Sequence, residues 1–125
     1  MNNVTAFRFL LIDDDPDLRY LNRWALQREF PGCDVIEAES CEGAVEKSAG
    51  LKADATVADH HLQGQSGIEC ISLLRSNGIG GVVIMVTSNL NPALRDEALA
   101  AGANEVFLGG MQDFVAYLRQ QLKSH

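Results

Sequence analysis

The sequence has 125 residues, 46% of them hydrophobic and 6% aromatic, enough for one domain with an ordinary core. A formal charge of −7 and a pI near 4.8, with no clustered Lys and Arg to neutralise phosphates, exclude a nucleic-acid-binding surface. The densest apolar run, Val82 to Val86, is too short to span a bilayer and no leader-like start precedes it, so no membrane partner and a cytoplasmic location are expected.

Phe7 to Ile12 is an apolar run broken only by Arg8, typical of a strand covered on both faces. Pro16 after Asp15 opens a helix in which Leu18, Leu21 and Ala25 form the expected inward face, ending at Pro31-Gly32. Asp34 to Ala38 is a second strand, and Ser40 caps a small helix with Ala44, Val45, Ser48 and Ala49 on one side. Ala55 to Ala58 makes a third strand that ends at Asp59. Ser66-Gly67-Ile68-Glu69 has the S-x-x-E form of a capping box, and Ile68, Ile71 and Leu74 face inward behind it.

Val82 to Val86 is the fourth strand, bounded by Thr87-Ser88. Asn91-Pro92 caps a fourth helix through Leu94, Ala98 and Ala101 to Gly102. Glu105 to Leu108 is a fifth strand, leading through Gly109-Gly110 to a last helix carrying Phe114, Val115, Leu118 and Leu122. Cys33, Cys41 and Cys70 are odd in number, widely spaced and without a C-x-x-C pair, and read as reduced thiols.

Five β-α repeats predict a doubly wound α/β fold with a parallel sheet and helices on both faces, residues 1–125 forming one domain. In such sheets the ligand site lies beyond the carboxyl ends of the strands, where the strand order reverses. Those ends carry Asp13-Asp14-Asp15, Asp59, Thr87-Ser88 and Gly109-Gly110. Two like charges 4 Å apart cost on the order of 4 kcal/mol at an effective dielectric of about 20, so the acids call for a cation. Carboxylates from two neighbouring strands suit a hard cation such as Mg²⁺. Beside it Asp59 is the candidate phosphoryl nucleophile and Thr87 the candidate hydroxyl donor.

The chain resembles the receiver domain of two-component response regulators. The resemblance is carried by Leu-Ile-Asp-Asp-Asp-Pro at strand one, Val-Ala-Asp-His-His-Leu at strand three, Gly64 to Glu69, Met-Val-Thr-Ser at strand four and Gly102-Ala103-Asn104. It implies the flavodoxin-like five-stranded sheet with order 2-1-3-4-5, a signalling role, and no enzymatic activity beyond self-phosphorylation and autodephosphorylation. It implies that Asp59 accepts a phosphoryl group from a histidine kinase or phosphotransfer protein. Asp14, Asp59 and the backbone carbonyl of His61 would hold Mg²⁺, with Asp13 acting through water and Thr87 moving onto the phosphoryl oxygen. Asp15 falls outside the acidic pair and is better explained as a helix cap. An output protein or domain would meet the face built by the fourth helix, fifth strand and fifth helix. A free-standing receiver and one module of a larger regulator both fit.

Three positions depart from the family pattern. Gly109-Gly110 stands where the family has Lys-Pro, and no lysine lies between Lys52 and Lys123. Val106 stands at the aromatic switch position, and Gln63 where a proline is usual. Two other readings stay open: a pseudo-receiver that binds partners without phosphorylation, suggested by the missing lysine, and a haloacid-dehalogenase-type phosphatase, whose D-x-D start Ile12-Asp13-Asp14-Asp15 resembles, with Asp13 as the nucleophile. His60 and His61 are expected to point apart on an extended loop, one of them able to supply some of the missing positive charge when protonated. Tyr20 and Trp24 are expected as partly exposed packing residues.

Overall fold

The computed structural model describes residues 6–110 and 113–123. Its parallel sheet consists of β1 (Arg8–Ile12), β2 (Asp34–Ala38), β3 (Ala55–Asp59), β4 (Val82–Thr87) and β5 (Glu105–Leu108), ordered β2-β1-β3-β4-β5. Between and after them run α1 (Pro16–Glu29), α2 (Cys41–Ser48), α3 (Gly67–Ser76), α4 (Pro92–Ala101) and α5 (Asp113–Leu122). This is the flavodoxin-like order expected from the sequence. A small antiparallel ribbon, His61–Leu62 against Gln65–Ser66, bridges β3 to α3 and was not anticipated.

Alternation along the strands sorts the apolar residues into two cores, one on each side of the sheet. Leu10, Ile12, Ala58, Val83 and Met85 pack with α2, α3 and α4, whereas Phe9, Leu11, Val57, Ile84 and Val86 pack with α1 and α5. The expected caps form. Asp15 Oδ1 accepts from the Asp17 and Leu18 N–H groups, Asn91 Oδ1 from Leu94 N–H, and Ser66 and Glu69 close both arms of a capping box. At the amino ends of the strands, Arg75 donates to the carbonyls of Gly102, Ile79 and Gly81 and to Asn104 Oδ1, tying α3 to the loops before β4 and β5.

Two expectations are corrected. Leu18 and Leu21 do not form the inward stripe of α1; they are 41% and 50% exposed, while Ala25, Leu26 and the cap residue Phe30 are buried. The Asp15 cap fixes where α1 starts, and that phase turns the stripe one residue away from the leucines. The cysteines are not all reduced thiols: Cys41 and Cys70 form a disulfide with Cα atoms 5.5 Å apart, and only Cys33 is free. Both stand in the first turn of their helices, α2 and α3, which the strand order places side by side on one face.

Candidate functional site

The strand order reverses between β1 and β3, with α1 leaving to one face and α3 to the other, so the crevice opens at the carboxyl ends of these two strands. Asp13 and Asp14 follow β1 and Asp59 ends β3. The register pairs Ile12 with Ala58, which sets Asp13 level with Asp59. Their positions in the alternation put both side chains on the α1–α5 face. One carboxylate oxygen from each of Asp13, Asp14 and Asp59 lies within 4.8 Å of the others. Asp13 is 2% exposed, Asp59 partly buried and Asp14 exposed.

Local bonds fix these carboxylates. Asp13 Oδ1 accepts from Asp15 N–H at 2.9 Å, and Asp59 Oδ2 accepts from His61 N–H at 3.2 Å. Gly67 N–H donates to the His60 carbonyl at 2.6 Å, and a Cβ on Gly67 would collide with the Asp59 carbonyl oxygen and stand 2.9 Å from His60 Cα. The S-G-I-E motif thus caps α3 and also lets the helix start press against the main chain that carries Asp59.

The electrostatics follow from crowding. Burial pushes the Asp59 carboxyl from 3.8 up to about 6, helped by the charges of Asp13 and Asp14 and opposed by the His61 N–H. Burial also raises Asp13, as do the charges of Asp14 and Asp15, against the Asp15 N–H and the Arg19 guanidinium. Arg19 offers little direct relief, since its Nη1 donates to the Asp13 carbonyl and its Nε to Glu37. Three oxygen donors from two strands, each short of positive charge, fit a hard divalent cation.

Beside Asp59 is a cavity of about 70 Å³ lined by Asp13, Val86, Leu18, Leu21, Phe114 and the Gly109-Gly110 pair. The leucines and Phe114 were not anticipated near the site. Their spacing gave only a helix face, not its direction. Thr87 does not line this cavity. It is 1% exposed, and its Oγ1 lies 3.0 Å from His60 Nδ1 and accepts from Asn89 N–H at 3.2 Å. The two histidines do not point apart, as their ring centroids are 4.2 Å from each other. Burial and the neighbouring His61 lower His60 below its ordinary value, which disfavours a positive charge on its ring.

The model of the response regulator receiver domain matches residues 9–113. The chain belongs to this family. The receiver is 30% identical over 88 residues to the nitrate/nitrite response regulator protein NarP of Escherichia coli strain K12, covering 70% of this chain and 40% of NarP. It is 31% identical over 100 residues to the two-component response regulator ORR41 of Oryza sativa subsp. japonica, covering 78% of this chain and 79% of ORR41. Among solved structures, a CheY-like receiver domain protein from Methanospirillum hungatei JF-1 superposes with a TM-score of 0.85 at 21% identity over 96% of each chain. The receiver spans about two-fifths of the length of NarP. Among the described residues no helix is long and apolar enough to cross a membrane. The dehalogenase-type reading falls, because the family match over residues 9–113 is to receivers.

Proposed function

We propose that the chain is a signalling receiver whose phosphoacceptor is Asp59. The observation that carries this is the meeting of Asp13, Asp14 and Asp59 at the reversal point of the sheet, with Asp59 the partly exposed member that ends its strand. An Asp59 carboxylate oxygen attacks the phosphorus of a phosphohistidine on a histidine kinase or phosphotransfer protein. The new P–O bond forms as the P–N bond breaks, and the released imidazole takes up a proton. His61 N–H holds one Asp59 oxygen in place while the other reacts. Thr87 donates a hydrogen bond from its hydroxyl to a phosphoryl oxygen as the group is transferred.

Asp13, Asp14, Asp59 and the His61 carbonyl would hold Mg²⁺, which when bound neutralises charge on the phosphoryl oxygens. Gly109 supplies no ammonium group, and among the described residues no Lys or Arg makes a salt bridge to these three acids. Dependence on Mg²⁺ is therefore steep. Val106, 4% exposed in β5, offers no ring to swing between inside and outside, so the change passed to the α4–β5–α5 face, where an output protein or domain binds, is altered. Chemistry on Asp59 is self-modification and slow hydrolysis, not turnover of a metabolite.

A phosphorylation-independent interaction module is the competing reading, favoured by Gly109 and Val106. Incubation with acetyl phosphate and MgCl₂, read by intact mass beside Asp59→Asn, separates the two. One phosphoryl group on the wild type and none on the variant is expected. No label from acetyl phosphate or from a cognate kinase would establish the module instead.

A further inference from the structure

The alternation that places Asp59 and Val86 on the α1–α5 face places their chain neighbours, His60 and Thr87, on the other. Val83 and Met85 pack with α3 and α4, and Thr87 continues their side of β4. The Thr87 side chain therefore leaves the carboxyl end of β4 on the α3–α4 side and does not line the cavity beside Asp59. There it meets the His60 ring, with Oγ1 to Nδ1 at 3.0 Å.

A threonine hydroxyl has one proton to give and two lone pairs to offer. One lone pair of Thr87 receives the Asn89 N–H. If Nδ1 also donated, the hydroxyl proton would be left without an acceptor at a residue only 1% exposed. The economical arrangement has Thr87 donating to a bare Nδ1, with the ring proton on Nε2. The ring cannot drift from this contact easily, because the His60 main chain is held on both sides: its N–H donates to the Val86 carbonyl at 2.8 Å and its carbonyl accepts from Gly67 N–H at 2.6 Å.

We infer that His60 is a positioning residue that takes the only hydroxyl proton of Thr87 and holds that side chain away from Asp59, so that this bond must break before Thr87 can meet a phosphoryl group. The inference rests on the roles given to Asp59 and Thr87 above. It makes His60, the residue directly after the phosphoacceptor, a brake on the resting state.

The test has two arms. In unphosphorylated protein, ¹⁵N shifts of the His60 ring give the tautomer, and side-chain couplings give the Thr87 rotamer, in wild type and in His60→Phe, which keeps an aromatic ring. Expected are a bare Nδ1 and one Thr87 rotamer in the wild type, with rotamer averaging in the variant. In the second arm, His60→Phe is labelled at Asp59 by acetyl phosphate and Mg²⁺ roughly fivefold faster than wild type, the worth of one neutral hydrogen bond. The same substitution in a Thr87→Val background changes the rate by less than about twofold, since the bond is already gone. A proton on Nδ1, an unchanged Thr87 rotamer in His60→Phe, or an equal gain in the Thr87→Val background overturns the inference. The wild-type tautomer decides even if the variant does not fold. Complete absence of label in every protein would sink Asp59 as acceptor, while the spectroscopic arm still decides whether His60 holds Thr87.

Discussion

Replacing Asp59 by Asn should stabilise the metal-free protein, and by an amount that depends on pH. The Asp59 carboxyl titrates near 6 in the folded chain against an ordinary value of 3.8, so folding opposes its ionisation. Below about pH 3.8 the group is protonated in both states and costs nothing. As pH rises, the unfolded chain releases its proton first and gains on the folded one; above about 6 the full penalty is present. A displacement from 3.8 to about 6 corresponds to about 3 kcal/mol. Asp59 is only partly buried, and solvent screening reduces this to about 1–2 kcal/mol. The amide removes the charge at nearly constant shape, so the gain for Asp59→Asn is absent near pH 4 and complete near pH 7.5. With a urea m-value of about 2 kcal/mol per M, the midpoint rises by about 0.5–1 M. The assay is urea unfolding of both proteins from pH 4 to 8 in EDTA. Equal midpoints at pH 7.5, or a larger gain at pH 4, would refute the argument that burial, helped by the neighbouring carboxylates, holds the Asp59 carboxyl up. Adding MgCl₂ should then stabilise the wild type more than the variant.

Reducing the Cys41–Cys70 disulfide, or replacing both residues by Ala, should lower stability by about 3–4 kcal/mol, given a sequence separation of 29; thiol titration under denaturing conditions should find one free thiol before reduction and three after. Thr56 Oγ1 is buried in β3 with no hydrogen-bond partner among the described residues, so Thr56→Val should raise the urea-derived stability by about 1 kcal/mol; a loss of similar size would mean that the hydroxyl is satisfied in solution. Gly67→Ala should push the main chain at Asp59 and His60 out of place, destabilising by about 2 kcal/mol and cutting acetyl phosphate labelling at least tenfold. Stability and labelling rate measured on the same preparation check both effects.

The five sheet strands were legible because each is a short apolar run closed by a polar residue at the carboxyl end, and the caps Asp15, Ser40, Ser66 and Asn91 because a side-chain oxygen there has one nearby task. What sequence hid was direction. The leucines of α1 have helical spacing, but only the three-dimensional start of the helix shows that Leu18 and Leu21 border the cavity while Leu26 enters the core. The disulfide was hidden for a related reason: Cys41 and Cys70 become neighbours only once β1 and β3 put α2 and α3 on one side. The acidic cluster was legible, since two strand ends flanking a reversal must meet. Thr87 was expected beside it and ends β4 at that edge, but the period of two starts its side chain on the α3–α4 side, where it meets His60. The histidine pair was misjudged because the ribbon after β3 folds the loop back instead of leaving it extended.

The covalent link also divides the molecule unequally. It joins α2 to α3 and so closes one of the two cores, while the other, between α1, α5 and the sheet, has no such tie. Opening that released α1 and α5 would leave the disulfide-linked half joined, and the layer without the link is the one that walls the cavity at Asp59. The sheet thus has a cross-linked side and a side held by packing alone, and the cavity at Asp59 lies on the second.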